Sequence, residues 1–164
     1  METENRTALS SAAIQNLISL LSEDGYRVIG PQVRDGAIVW DELESSDDLP
    51  QGWRDNQEAG RYRLEKTERP NLFDYNVGPH SPKKFLYPPQ EPLWRAEVTE
   101  EGLRFLEHAL DERPLAFLGI RQCELAAIGV QDKVLVASTF ADDRYARRRE
   151  TALFISVEDR KSVV

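Results

Sequence analysis

From Thr7 to Ser22 the apolar residues Leu9, Ala13, Leu17, Leu20 and Leu21 recur at intervals of three and four, with Ala12, Ile14 and Ile18 widening the stripe. That period predicts an amphipathic helix. Asp24-Gly25 ends it, and Tyr26-Arg27-Val28-Ile29-Gly30-Pro31 then alternates in the manner of a strand. A turn at Asp35-Gly36 and a second short run, Ala37-Ile38-Val39-Trp40, complete a predicted β-hairpin. The acidic, Ser-rich stretch from Asp41 to Pro50 has no period and reads as a solvated connection, and Arg61-Tyr62-Arg63-Leu64-Glu65 resumes alternation as a third strand.

From Glu68 to Pro92 prolines and aromatics replace any sustained period. Phe73, Tyr75, Phe85 and Tyr87 predict an ordered loop or broken strand lying over a core rather than a free linker. Thr99-Glu100-Glu101-Gly102 looks like a helix start with Thr99 as N-cap, and Leu103, Leu106 and Leu110 would be the buried stripe of a helix that also carries His108 on its surface. Pro114 ends it. Leu115 to Ile120 is a short apolar run expected to form a buried strand. A short helix follows from Glu124, then the apolar Lys133-Val134-Leu135-Val136, expected to dock on a sheet edge. A charged helix from Asp142 to Glu150 and a last strand from Ala152 to Val157 close the pattern. Strand, helix, helix and strand in that order imply a parallel βαβ crossover, where ligands gather at strand carboxyl ends. The expected class is α/β, with α+β as the alternative. The expected layout is an N-terminal helix and hairpin, a Pro- and aromatic-rich loop, and a βαβ-like unit with a mixed sheet.

Composition narrows the function classes. The 164 residues carry a net charge of -8 with a pI near 4.9, which argues against the clustered Lys and Arg of a nucleic-acid interface. No apolar segment approaches the ~20 residues of a membrane-spanning helix, and Glu2 and Glu4 stand where a signal peptide would be basic. A cytoplasmic location is expected. One cysteine excludes an internal disulfide, and it excludes a complete cysteine-ligated cluster or zinc site built from these residues alone.

That cysteine, Cys123, falls where the strand Leu115 to Ile120 gives way to a helix. Backbone N–H groups and the macrodipole at a helix N-terminus favour a thiolate, so the position suits redox or cluster chemistry. The other reading is a small buried hydrophobe packed in the core. Lys83 and Lys84 lie in Gly78-Pro79-His80-Ser81-Pro82-Lys83-Lys84-Phe85-Leu86-Tyr87-Pro88-Pro89, a frame able to grip an anionic cofactor or a partner, or simply to hold two solvated cations. Neither His80 nor His108 has a second His or Cys at metal spacing. Arg147-Arg148-Arg149, after Asp142-Asp143, complement a helix macrodipole and read as a stability feature. There is no Gly-rich phosphate loop and no Gly-x-Ser-x-Gly elbow, so no complete active site is legible.

Three stretches together resemble one family. They are Tyr26 to Pro31, the segment from Gly78 to Pro89, and Gly119-Ile120-Arg121-Gln122-Cys123-Glu124-Leu125-Ala126-Ala127-Ile128 with the later Asp142-Asp143-Arg144-Tyr145-Ala146-Arg147-Arg148-Arg149. The chain is similar over most of its length to the iron–sulfur β-subunits of cytoplasmic sulfhydrogenase-type nickel–iron hydrogenases and to the A subunit of anaerobic sulfite reductase, the 4Fe-4S dicluster proteins. Those proteins usually read Arg-Pro-Cys-Asp where this chain has Arg121-Gln122-Cys123-Glu124, and Pro-Pro-Arg-Glu where it has Pro88-Pro89-Gln90-Glu91.

The resemblance implies an electron-transfer subunit of a multisubunit oxidoreductase, partnered by a flavin- or nucleotide-binding subunit and a catalytic subunit. It implies 4Fe-4S clusters in the full-length protein, with Cys123 as one thiolate ligand completed by downstream cysteines. Lys83, Lys84 and Arg121 are then the candidate cofactor-binding side chains, the two lysines balancing cluster charge or docking a partner. Residues 1–158 would be the N-terminal domain of that larger protein, and these residues alone are expected to bind no cluster stably. Asp159-Arg160-Lys161-Ser162-Val163-Val164 read like the translation of a sequencing adapter, so 159–164 are expected to be a non-native tail. The alternative is a stand-alone α/β binding or interaction module with a structural Cys123.

Overall fold

The computed structural model describes residues 10–69, 71–76, 80–108, 111 and 113–157. The expected tail 159–164 lies outside them, as do Leu9, Gly78, Pro79 and Leu110. The sheet at the centre has four strands: β1 (Arg27–Arg34), β2 (Ala37–Glu42), β7 (Leu115–Ile120) and β8 (Leu153–Ser156), in the order β2-β1-β7-β8. β1 pairs antiparallel with β2 and parallel with β7, which pairs parallel with β8. The expected hairpin, crossover and mixed α/β sheet are therefore present.

Alternation along β1 and β7 divides the core between two faces. Val28, Ala116 and Leu118 join the cluster of α1 (Ser11–Glu23), whose Ile14, Ile18 and Leu21 are buried. Leu20, expected in that stripe, points outward instead. Ile29, Leu115 and Phe117 face the other cluster, together with Ile128 of α3 (Gln122–Leu135), Tyr145 of α4 (Asp143–Thr151) and Leu86 of α2 (Lys83–Leu86). Ile120 joins this second face because a register shift between Leu118 and Ile120, at Gly119 with φ +86°, breaks the alternation. Such a bulge re-aims a strand end. A Cβ at Gly119 would run into the Phe73 ring, so both backbone and space require glycine here.

Several expectations are corrected. The predicted helix from Thr99 is a hairpin of β5 (Trp94–Thr99) and β6 (Gly102–Glu107) turning at Glu100-Glu101, and His108 follows its second strand. The reason is a period of two: Trp94, Ala96 and Val98 alternate with Arg95 and Glu97, a stronger signal than the coincident spacing of Leu103 and Leu106. The stretch 41–50 is packed rather than solvated. Leu43 and Leu49 are buried around a single 3-10 turn (Ser46–Asp48), in which Ser45 and Asp48 form a capping box and Ser46 N donates to Gln15 Oε1 at 2.7 Å. The strand at 61–65 is β4 (Arg61–Lys66), paired with β3 (Trp53–Glu58), whose polar sequence hid it. Finally α3 begins at Gln122 and absorbs Lys133 to Leu135. Leu135 packs on the second cluster, while Val134 and Val136 are exposed instead of docked on a sheet edge.

Candidate functional site

The Gly119 bulge delivers the chain to the carboxyl end of β7, where Val157 N donates to Ile120 O at 2.9 Å. The end of β8 therefore lies against the residue that precedes the turn into α3. Arg121 is the N-cap, extended at φ -102° and ψ 160°, and its carbonyl accepts from the Glu124 and Leu125 amides. Glu124 reaches back: its Oε2 accepts from Arg121 N at 3.0 Å, and its Oε1 accepts from Trp40 Nε1 at 3.1 Å. With 7% of its surface exposed, this carboxyl is pushed above the ordinary glutamate range by burial, against the opposing pull of those two donors and of the Arg121 charge.

Arg121 turns its guanidinium away from the helix. It donates to Phe73 O at 3.0 Å and to Tyr75 O, and it lies 5.6 Å from the centre of the Tyr75 ring. Those contacts fasten the Pro- and aromatic-rich loop to the strand end. Tyr75 is buried, which drives its hydroxyl far above the usual phenol range, and that hydroxyl has no hydrogen-bond partner among the described residues.

Cys123 is the second residue of α3, in its first turn, and its thiol is exposed. This removes the reading of a packed core thiol and leaves a sulfur accessible beside a helix N-terminus. Lys83 and Lys84 sit on α2, where Phe85 meets the Phe117 ring edge-on at 6.4 Å and Lys84 Nζ lies 4.9 Å above the Phe85 ring. Among the described residues no hydrogen bond links either lysine to Cys123 or Arg121. His80 is exposed. The structure thus brings Cys123 and Arg121 into one turn and places the two lysines on a separate element.

The basic residues of α4 hold neighbouring segments. Arg148 pairs with Glu91 and reaches Leu86 O at 3.4 Å, while Arg149 pairs with Asp132 at 3.0 Å and covers the Phe154 ring. Tyr145 donates to the same Asp132 at 2.6 Å. Among the described residues no three His, Cys, Asp or Glu side chains are grouped to hold a metal ion, and no helix is long and apolar enough to cross a membrane.

Glu124, Trp40 and Tyr75 did not figure among the expected site residues. Glu124 was legible, since an acid three residues after a helix start fits a capping box. Trp40 was not, because 84 positions separate it from its partner. Comparison with protein-family models, with curated proteins and with solved structures finds no match.

Proposed function

We propose that this chain is the N-terminal domain of an electron-transfer iron–sulfur subunit, serving a cytoplasmic multisubunit oxidoreductase of hydrogenase or sulfite reductase type. Cys123 supplies one thiolate to a 4Fe-4S cluster. Such a cluster takes four cysteines, so three further thiolates must come from outside these 164 residues. The group, when bound, accepts and passes on one electron at a time.

One observation carries the reading: an exposed thiol in the first turn of α3, at the point where β8 leaves the sheet beside Ile120. A ligand contributed by residues beyond β8 starts its path at that turn. The chain's own residues fix the thiol in place: Glu124 and Trp40 lock the first turn of α3, and Arg121 ties the turn to the 73–75 loop. Partners under this reading are a flavin- or nucleotide-binding subunit and a catalytic subunit, with Lys83 and Lys84 on α2 facing one of them.

The test is the gene beyond the codon for Glu158 together with the iron content and visible absorption of the encoded full-length protein and its Cys123→Ser variant. Cysteine codons downstream and a loss of iron in the variant are expected. A gene that adds no cysteine codons removes the cluster, and equal iron in both proteins removes Cys123 from the ligand set.

A further inference from the structure

The β5–β6 hairpin stands apart from the body. Its root is held: His108 N donates to Leu93 O at 3.0 Å, and Arg144 reaches Pro92 O and His108 O at 3.4 and 3.3 Å. Beyond the root, among the described residues, no hydrogen bond joins residues 94–107 to any other element. The register pairs Ala96 with Phe105 and Val98 with Leu103, so Trp94, Ala96, Val98, Leu103 and Phe105 share one face. Arg95, Glu97 and Arg104 occupy the other with the half-buried Leu106, and there Arg95 pairs with Glu97. The apolar face is open: Trp94 is 64% exposed, Val98 87%, Leu103 64% and Phe105 67%.

A two-stranded ribbon is marginal in water on its own, and a contiguous apolar patch on one marks a surface that something covers. We propose that it is covered by the same face of a second copy of this chain, so that two arms pack face to face about a two-fold axis. Three features select that occupant. From their exposures the four large residues offer roughly 600 Å² per copy, so two copies can bury up to about 1,200 Å², which reaches the lower bound for specific interfaces. The face is complementary to itself in shape, because Phe105 lies across from the small Ala96 and can fill the space above the partner's Ala96. The face is also nearly free of charge in a chain of net charge -8, with only Glu107 on it, at the root. Antiparallel stacking keeps the acidic tips, Glu100 and Glu101 of each copy, at opposite ends. The association is independent of the cluster reading, since none of these residues belongs to it.

Sedimentation of the 164-residue chain under reducing conditions, from about 1 to about 100 μM, tests the proposal. The wild type is expected to show a concentration-dependent monomer–dimer equilibrium. Phe105→Glu places a charge on the axis twice over, and the dissociation constant is expected to rise by roughly a hundredfold or more. Phe140→Glu makes the same change at an exposed aromatic off the arm and should leave the dimer intact. Circular dichroism checks that each variant is folded, and Val98→Glu serves as a second arm variant if Phe105→Glu is not. A wild type that stays monomeric throughout overturns the proposal, as does a dimer that survives the arm variants or one that Phe140→Glu dissociates equally.

Discussion

Strands β7 and β6 are both six residues long, yet every residue of Leu115–Ile120 is buried and five of the six in Gly102–Glu107 are exposed. The difference lies in what surrounds them. β7 has a strand on each side and helices over both faces, so its unbroken apolar run is needed on every side. β6 has one partner strand and an alternating sequence whose apolar half meets nothing within the described chain. Apolar content alone does not define a core; continuity against alternation does, and an alternating strand with its apolar face open describes a surface for a partner.

Four substitutions sharpen the contrast. The largest effect belongs to Phe117, wholly buried and stacked on Phe154 with ring centres 5.2 Å apart. Phe117→Ala is expected to cost about 3–5 kcal/mol, read as a lower urea midpoint. Gly119→Ala comes next, at about 1–3 kcal/mol, because the left-handed backbone and the Phe73 ring both oppose a methyl group. It should also loosen the loop that Arg121 fastens, seen as faster alkylation of Cys123. An unchanged midpoint would mean that the bulge is not what sets the end of β7.

Glu124→Gln is third, at about 1 kcal/mol near neutral pH, since one amide group cannot accept from both Trp40 Nε1 and Arg121 N. Its distinctive signature is in the pH profile. A carboxyl whose folded pKa is raised is most favourable to folding below its unfolded value, near 4.5, and that contribution is lost as pH rises through the folded value. The stability of wild type relative to Glu124→Gln should therefore fall as pH increases from about 4.5 towards neutrality. A flat difference, followed by chemical denaturation at a series of pH values, would show that the carboxyl is not buried as described. The smallest effect is on the arm: Val98→Ser should change monomer stability by less than about 0.5 kcal/mol, measured at protein concentrations where dimers are absent. A large loss there would show that the hairpin packs on its own body.

Much of the sheet was legible in the sequence because its strands bury continuous or alternating apolar runs that period alone identifies, as in Tyr26 to Pro31 and Leu115 to Ile120. Arg61–Lys66 was readable because Tyr62 and Leu64 alternate with charged residues, whereas Trp53–Glu58 was not: its half-buried positions are Trp53 and Asp55, which leave no apolar period to read. The arm was misread because Thr99-Glu100-Glu101-Gly102 satisfies helix-capping chemistry and tight-turn chemistry equally. The tie is broken by the period of two from Trp94 to Val98, and Gly102 at φ +122° completes the turn. Cys123 could be placed at a helix start from local pattern. The Trp40–Glu124 and Arg121–Tyr75 contacts that fix its turn could not, because they depend on which strands become neighbours.

The parallel pairing of Arg27 with Leu115 also sets an order of events in time. Sheet neighbours β1 and β7 are separated by about ninety residues of chain, and pairings of such long sequence separation close slowly. The ribbons β1–β2, β3–β4 and β5–β6 are each closed by short turns and can form within microseconds. During synthesis the arm is therefore complete before β7 has finished emerging, and its apolar face meets the cell ahead of the core that anchors it. Chaperone capture of nascent chains should accordingly include Trp94–Glu107, and there it should outlast the arrival of β7, which covers α1 and β1 but not the arm.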